Sequence, residues 1–214
     1  MSRILLVRSS ETALSARSRF AGRSDAPLDQ RGIDLASRVA ARLAPNAPTA
    51  VWTSPLLRAR QTSETIAAHL GLSAIAHDGL TDVDLGAWTG LSLDEMRARD
   101  PAVFDWFFRL PRAATPPGGE LLMGAERRVL RALNDIGRGD PAGTAIAVTH
   151  ELPIRLVLVR LRGLEGTALW DPIVAPGSVT ELVWTRDGLE LPTPLERLFR
   201  IARDRNAALW RGPG

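Results

Sequence analysis

One α/β domain with a mainly parallel sheet is the fold class that two features of this 214-residue chain predict. Apolar strand-like runs alternate with amphipathic helical stretches at the spacing of strand–helix–strand units. Two of those runs, residues 3–7 and 144–149, end directly in polar side chains, as strands do when their carboxyl ends face a ligand crevice. The length suits one sizeable core, and a 45% hydrophobic, 24% charged composition is that of an ordinary globular chain.

Ile4-Leu5-Leu6-Val7 reads as a buried strand that delivers Arg8, Ser9, Ser10 and Glu11 to its carboxyl end. On this segment alone a surface arginine is the simpler reading of Arg8; partners far along the chain change that. Residues 12–27 are a long polar connection holding Gly22, Arg23, Asp25 and Pro27. Asp29 suits the N-cap of a helix from about 30 to 44, where Ala36, Val39, Ala40 and Leu43 recur at helical spacing until Pro45 and Pro48 end it. Residues 50–53 are a second strand. Ser54-Pro55 then predicts a helix with serine at the N-cap and proline in its first position, ending at Gly71.

Residues 74–76 read as an outer strand, and residues 92–118 as short helices followed by a Pro-rich loop. Phe104, Trp106, Phe107 and Phe108 cluster there, suiting a cap over a pocket or a partner surface, and equally a satellite core. A helix spans about 120–137, and residues 144–149 are the best central strand, running into His150-Glu151-Leu152-Pro153 and an apolar helix to about Leu161. Residues 179–184 and 189–191 suit a hairpin around Asp187-Gly188. The organisation is therefore a single domain over 1–192 with a cap at about 92–118, followed by an Arg-rich amphipathic helix and tail over 193–214. That helix suits a homodimer contact, although packing on its own domain is the simpler reading.

Composition excludes several functions. With no Cys there is no disulfide, thiolate nucleophile or cysteine-based metal site. Three scattered histidines without His-x-x-x-His spacing give no metal site, and no cofactor is expected. The pI near 10.9 is not a nucleic-acid signal: the net charge is only +3, all 27 basic residues are Arg, and they are dispersed among 24 acids. No apolar run approaches a membrane span and no signal-peptide pattern is present, so a cytoplasmic location with no membrane partner is expected.

Six segments in order carry a resemblance. They are Leu5-Leu6-Val7-Arg8 with Glu11-Thr12; Gly22-Arg23-Ser24-Asp25-Ala26-Pro27-Leu28 with Gly32; Ser54-Pro55-Leu56-Leu57-Arg58-Ala59-Arg60-Gln61-Thr62; Leu85-Gly86-Ala87-Trp88-Thr89-Gly90; Pro117-Gly118-Gly119-Glu120; and Val148-Thr149-His150. Over roughly residues 3–185 the chain resembles the histidine phosphatase superfamily, in its phosphoglycerate-mutase-like branch. The resemblance implies a three-layer α/β/α fold with a small helical cap, and a small phosphorylated or otherwise anionic substrate. It implies that Arg8 and Arg58 bind phosphate, that His150 is the second pocket histidine, and that Asp82 stands where the family has its proton donor. Arg23 becomes a substrate-side contact, with a solvated loop arginine as the alternative, and Ser15 stands where the family has an asparagine.

The family's attacking histidine follows the first arginine, and here that residue is Ser9. A serine hydroxyl attacks phosphorus only with a base beside it, so phosphohistidine chemistry at position 9 is excluded. Four explanations stay open: an engineered phosphatase whose nucleophile was replaced, a natural enzyme using His150 or Asp82 as general acid or base, a Ser9 nucleophile activated by His150, and a pseudoenzyme that binds a ligand or partner. Retention of Arg8, Arg58 and His150 favours enzyme chemistry, because two facing arginines repel unless an anion sits between them. Glu11 is expected to pair with Arg8 or Arg23, and Trp88, with Gly86 and Gly90, to pack a turn that aims Asp82.

Overall fold

The computed structural model describes residues 1–192, so the amphipathic helix expected over 193–214 lies outside the described residues. The strands are β1 (Ser2–Arg8), β2 (Ala50–Thr53), β3 (Ala74–Ala76), β4 (Thr144–Thr149), β5 (Val179–Thr185) and β6 (Gly188–Glu190). They form one mixed, mostly parallel sheet in the order β3-β2-β4-β1-β5-β6. β3, β2, β4 and β1 are mutually parallel, with Arg8 level with Thr149. The last two strands run as the expected hairpin, with β5 antiparallel to β1 and β6 to β5.

The helices are α1 (Ala13–Ala16), α2 (Gln30–Leu43), α3 (Leu57–Leu70), α4 (Leu93–Arg99), α5 (Pro101–Arg109), α6 (Leu122–Gly139) and α7 (Glu151–Leu161). Alternation along the central strands divides them into two layers, since successive side chains leave a strand on opposite faces. Leu5, Val7, Ile146 and Val148 pack against Val39 and Leu43 of α2 and Ile66 of α3. Ile4, Leu6, Ala145 and Ala147 pack against Leu133 and Ile136 of α6 and Ile154 and Val157 of α7. β4 lies between two strands and two helix layers, so all six of its residues are buried and its sequence reads as an unbroken apolar run. The chain leaving β1 passes to one face and the chain leaving β4 to the other. Between their carboxyl ends the topology reverses and opens a crevice.

Two elements depart from expectation. Ser54 is not a helix N-cap and Pro55 is not the first helical residue: α3 starts at Leu57, after Leu56 in extended geometry. The Ser54 hydroxyl is engaged elsewhere, and Asp25 Oδ1 accepts from Leu57 N–H at 2.6 Å instead. The aromatics of α5 are mainly a satellite core. Phe104 and Phe107 are buried with Trp88, Met96 and Leu122, whereas Trp106 points outward at 56% exposure. Phe108 stacks on Trp170 with centroids 4.6 Å apart and reaches the crevice wall.

Candidate active site

A cleft of about 1260 Å³ opens at the β1/β4 switch point. Its wall includes Arg8, Ser9, Ser15, Arg58, Asp82 and His150, so six of the seven residues singled out from the sequence meet around one space. Ser9, 5% exposed, follows β1 and donates its backbone N–H to Thr149 O at 2.8 Å. Ser10 N–H goes to Thr62 Oγ1 at 3.0 Å. The two hydrogen bonds tie the floor of the cleft to β4 and α3.

Arg58 enters from the first turn of α3 and is 4% exposed. It donates to Gly22 O at 2.7 Å, Ser24 O at 2.8 Å and Asp82 Oδ2 at 2.9 Å. The 22–24 loop therefore acts as a carbonyl cradle for one guanidinium. Asp82 is fixed on its other side by Val83 N–H to Oδ1 at 2.8 Å. Arg128 holds the segment before it, donating to the carbonyls of Gly79, Thr81 and Asp82. The turn beyond depends on glycine: Gly86 has φ +50°, and a Cβ there would lie 2.2 Å from Pro117 O. Trp88, fully buried, closes that turn and donates to Asp100 at 2.8 Å. Burial pushes the Asp82 carboxyl pKa up more than the neighbouring Arg58 pulls it down.

His150 caps the start of α7 and is 2% exposed. Its Nε2 lies 2.8 Å from Ser54 Oγ. Ser54 Oγ already accepts from Leu56 N–H at 3.3 Å, and in a fully buried site its own proton goes to Nε2. The ring proton is thereby set on Nδ1. That atom is buried without a hydrogen-bond partner and lies 3.9 Å from Asp82 Oδ2. Burial first, then the charges of Arg58, Arg8 and Arg128, hold the His150 pKa well below its ordinary 6.5, so the ring is neutral.

Arg8 departs from its expected setting. Its partner is Glu151 at 2.8 Å, with a second bond to Val174 O, and Glu11 is not its counter-ion. Glu151 Oε1 also accepts from Arg155 Nε at 3.0 Å and NH2 at 2.8 Å. Each facing arginine thus has its own carboxylate, Arg8 with Glu151 and Arg58 with Asp82, so their mutual repulsion does not by itself demand an anion. Arg23 does not line the cleft: it sits behind Asp82, donating to Asp82 O at 3.2 Å and pairing with Glu120 at 3.2 Å. Ser15 lines the cleft, but its hydroxyl closes the capping box of α1, accepting from Thr12 N–H at 2.9 Å and donating to Thr12 O at 3.0 Å.

Ser54, Arg128, Glu151 and Arg155 were not legible as site residues. The Glu151/Arg155 pair carried a signal nonetheless, an i,i+4 acid–base pair at a helix start directly after a strand-terminal histidine. Among the described residues no cluster of three or more His, Cys, Asp or Glu is placed to hold a metal ion, and no helix is long and apolar enough to cross a membrane.

Comparison with known proteins places the chain among relatives. The family model described as histidine phosphatase superfamily (branch 1) matches residues 4–194. The chain is 36% identical over 157 residues to the bifunctional protein Rv2228c of Mycobacterium tuberculosis, covering 73% of this chain and 43% of that protein. It therefore spans less than half the length of that relative. It is 28% identical over 171 residues to phosphoserine phosphatase 1 of Hydrogenobacter thermophilus, covering 80% and 81% of the two chains. The solved structure of YhfR from Bacillus stearothermophilus superposes with a TM-score of 0.83 at 27% identity, covering 90% of this chain and 96% of that one.

Proposed function

Because the chain belongs to branch 1 of the histidine phosphatase superfamily, we propose that its cleft binds a small phosphorylated or otherwise anionic molecule, with Arg8, Arg58 and His150 as the phosphoryl ligands and Ser9 in the place of the attacking imidazole. The observation that carries this reading is His150 Nδ1: a buried N–H donor with no hydrogen-bond partner, on a residue of the cleft wall whose other ring nitrogen is taken by Ser54. An unpaired buried donor costs about 1–3 kcal/mol, which a phosphoryl oxygen would recover. The phosphoserine phosphatase relative supports a phosphomonoester-hydrolysing ancestry.

In this reading the chemistry left to the site is acid–base chemistry. Asp82, whose carboxyl pKa burial raises, gives its proton to the leaving oxygen as that P–O bond breaks and a water oxygen bonds to phosphorus; the Asp82 carboxylate then takes up the proton the water loses, and neutral His150 donates to the equatorial phosphoryl oxygens as charge builds there. Ser9 is not the nucleophile. The base that would activate it has its Nε2 on Ser54, and Ser54 is fully buried.

The pairing of both arginines with carboxylates favours a second reading, a ligand-binding pseudophosphatase. Ser9→His separates the two from the ancestral activity. The ancestral reading expects S9H to hydrolyse p-nitrophenyl phosphate through an acid-labile phosphohistidine while the Ser9 protein gives no such adduct. It fails if S9H stays inert across a broad phosphoester panel. The acid–base reading further expects product from the Ser9 protein to vanish in His150→Ala. The binding reading expects no product and only a change in affinity.

A further inference from the structure

Glu151 has no role in the reading above, yet it stands in the wall beside the phosphoryl ligands, immediately after His150. Its two oxygens are divided between arginines: Oε2 faces Arg8 NH1 at 2.8 Å, and Oε1 takes both Nε and NH2 of Arg155. Arg155 is anchored in turn to Leu169 O at 3.2 Å and Trp170 O at 2.8 Å. Glu151 is therefore held at Arg8 from behind and cannot swing away without breaking a bidentate contact. It presents a carboxylate to the guanidinium that an incoming phosphoryl group would use.

Over the whole wall Arg8, Arg19, Arg58 and Arg155 contribute four positive charges and Glu11, Glu151 and Asp171 three negative ones; with His150 neutral and Asp82 in the protonated form its donor role requires, a single positive excess is left. A doubly charged phosphomonoester placed on Arg8 meets Glu151 within about one guanidinium's width and must compete with it. A singly charged anion balances the cup as built.

Resting on the phosphoryl-site reading, we infer that Glu151 is a specificity-determining residue that makes the cup select singly charged anions, of the phosphodiester class, over doubly charged phosphomonoesters. A bridging ester oxygen in place of the second charged oxygen removes the repulsion with Glu151 and keeps the acceptors that Arg58 and His150 address.

Calorimetric titration with two probes that share one aryl group tests this. At about pH 8, well above phosphate's second pKa of about 6, phenyl phosphate is doubly charged and methyl phenyl phosphate singly charged. The unaltered protein is expected to bind methyl phenyl phosphate at least as tightly as phenyl phosphate. Glu151→Gln, which keeps the carbonyl acceptor for Arg155, is expected to tighten phenyl phosphate by about tenfold and methyl phenyl phosphate by about threefold or less. Glu151→Ala supplies the same comparison if the amide perturbs folding, with thermal melts of both variants as the check. Unchanged or weakened phenyl phosphate binding in both variants overturns the inference. Arg8→Met and Arg58→Met tell the two levels apart. If they abolish binding of both probes while Glu151→Gln changes nothing, only the role of Glu151 falls. If they leave both affinities intact, the cup is not the binding site and the phosphoryl-site reading falls with it.

Discussion

The two arginines of the cleft present the same group to the same space and are held in opposite ways. Arg58 is 4% exposed and locked by two backbone carbonyls plus Asp82, so its contacts depend on the path of the 22–24 loop. Arg8 is 17% exposed, and it rests on Val174 O and on Glu151, itself shared with Arg155. The first is a structural cation in the cleft wall; the second is a cation of the same wall whose charge is offset by a carboxylate shared with another arginine. Removing each should therefore break different things.

Arg58→Met is expected to have the largest effect. It leaves the Asp82 carboxyl buried without its counter-ion and orphans the carbonyls of Gly22 and Ser24, and removing one member of a buried pair costs about 3–5 kcal/mol. Arg8→Met strips Glu151 of one partner but leaves it the bidentate Arg155, and the site is wetter, so a loss of about 1–2 kcal/mol is expected. Urea unfolding of the two variants checks the ordering. Equal losses would mean that the carbonyl cradle around Arg58 contributes nothing beyond the ion pair.

The Arg58 side was readable from the sequence, because its residues stand in motifs that keep order along the chain and because β1 and β4 are continuous apolar runs that need cover on both faces. The α/β class with a mainly parallel sheet followed from strand–helix alternation, the hairpin from Asp187-Gly188, and the three-layer arrangement from the family resemblance. On the other side Arg8 itself was readable, but its carboxylate partner was not. Glu151 is brought to Arg8 only by the parallel pairing of β1 with β4, which places the two strand ends level across the sheet. The helix start at Ser54 was misplaced for a related reason: a serine before a proline is a sound local cap, but here a tertiary contact to His150 takes the hydroxyl and the helix begins three residues later. Arg23 lies in the segment that matches the family, yet the local pattern does not show that Glu120 and Asp82 O draw its side chain behind the acid.

A smaller effect sharpens the contrast through pH. His150 titrates in the fold well below 6.5, with Asp82, Arg58, Arg8 and Arg128 as the charged groups acting on it or facing it. The unfolded chain therefore takes up the histidine proton first as pH falls. The stabilisation from neutral His150 is complete above about 6.5 and is lost on acidification toward the depressed folded value, with a limiting slope of about 1.4 kcal/mol per pH unit. Asp82 acts with the opposite sign: its carboxyl pKa is raised in the fold, so its share favours the folded state on the acid side and fades as pH rises through that raised value. The difference between the protein and His150→Gln isolates the histidine. Parallel stability curves for the two below pH 6.5 would show that the imidazole is solvated and not buried in the cationic cup.

Ser54→Ala is expected to cost least, about 1 kcal/mol for one buried hydrogen bond, and it bears most directly on how the cup presents a proton. In the intact protein the Leu56 N–H bond to Ser54 Oγ directs the serine proton to Nε2 and leaves the ring proton on Nδ1, 3.9 Å from Asp82 Oδ2. Without the hydroxyl, Nε2 loses its donor and the ring is free to shift its proton from Nδ1 to Nε2, which turns the Nδ1 donor into an acceptor. Nitrogen-15 spectra of the ring report the tautomer directly, and phosphate affinity should fall in the same variant although Ser54 does not line the cleft. If the spectra of Ser54→Ala match those of the parent, the tautomer is set by Asp82 across its 3.9 Å gap and not by the serine behind the ring.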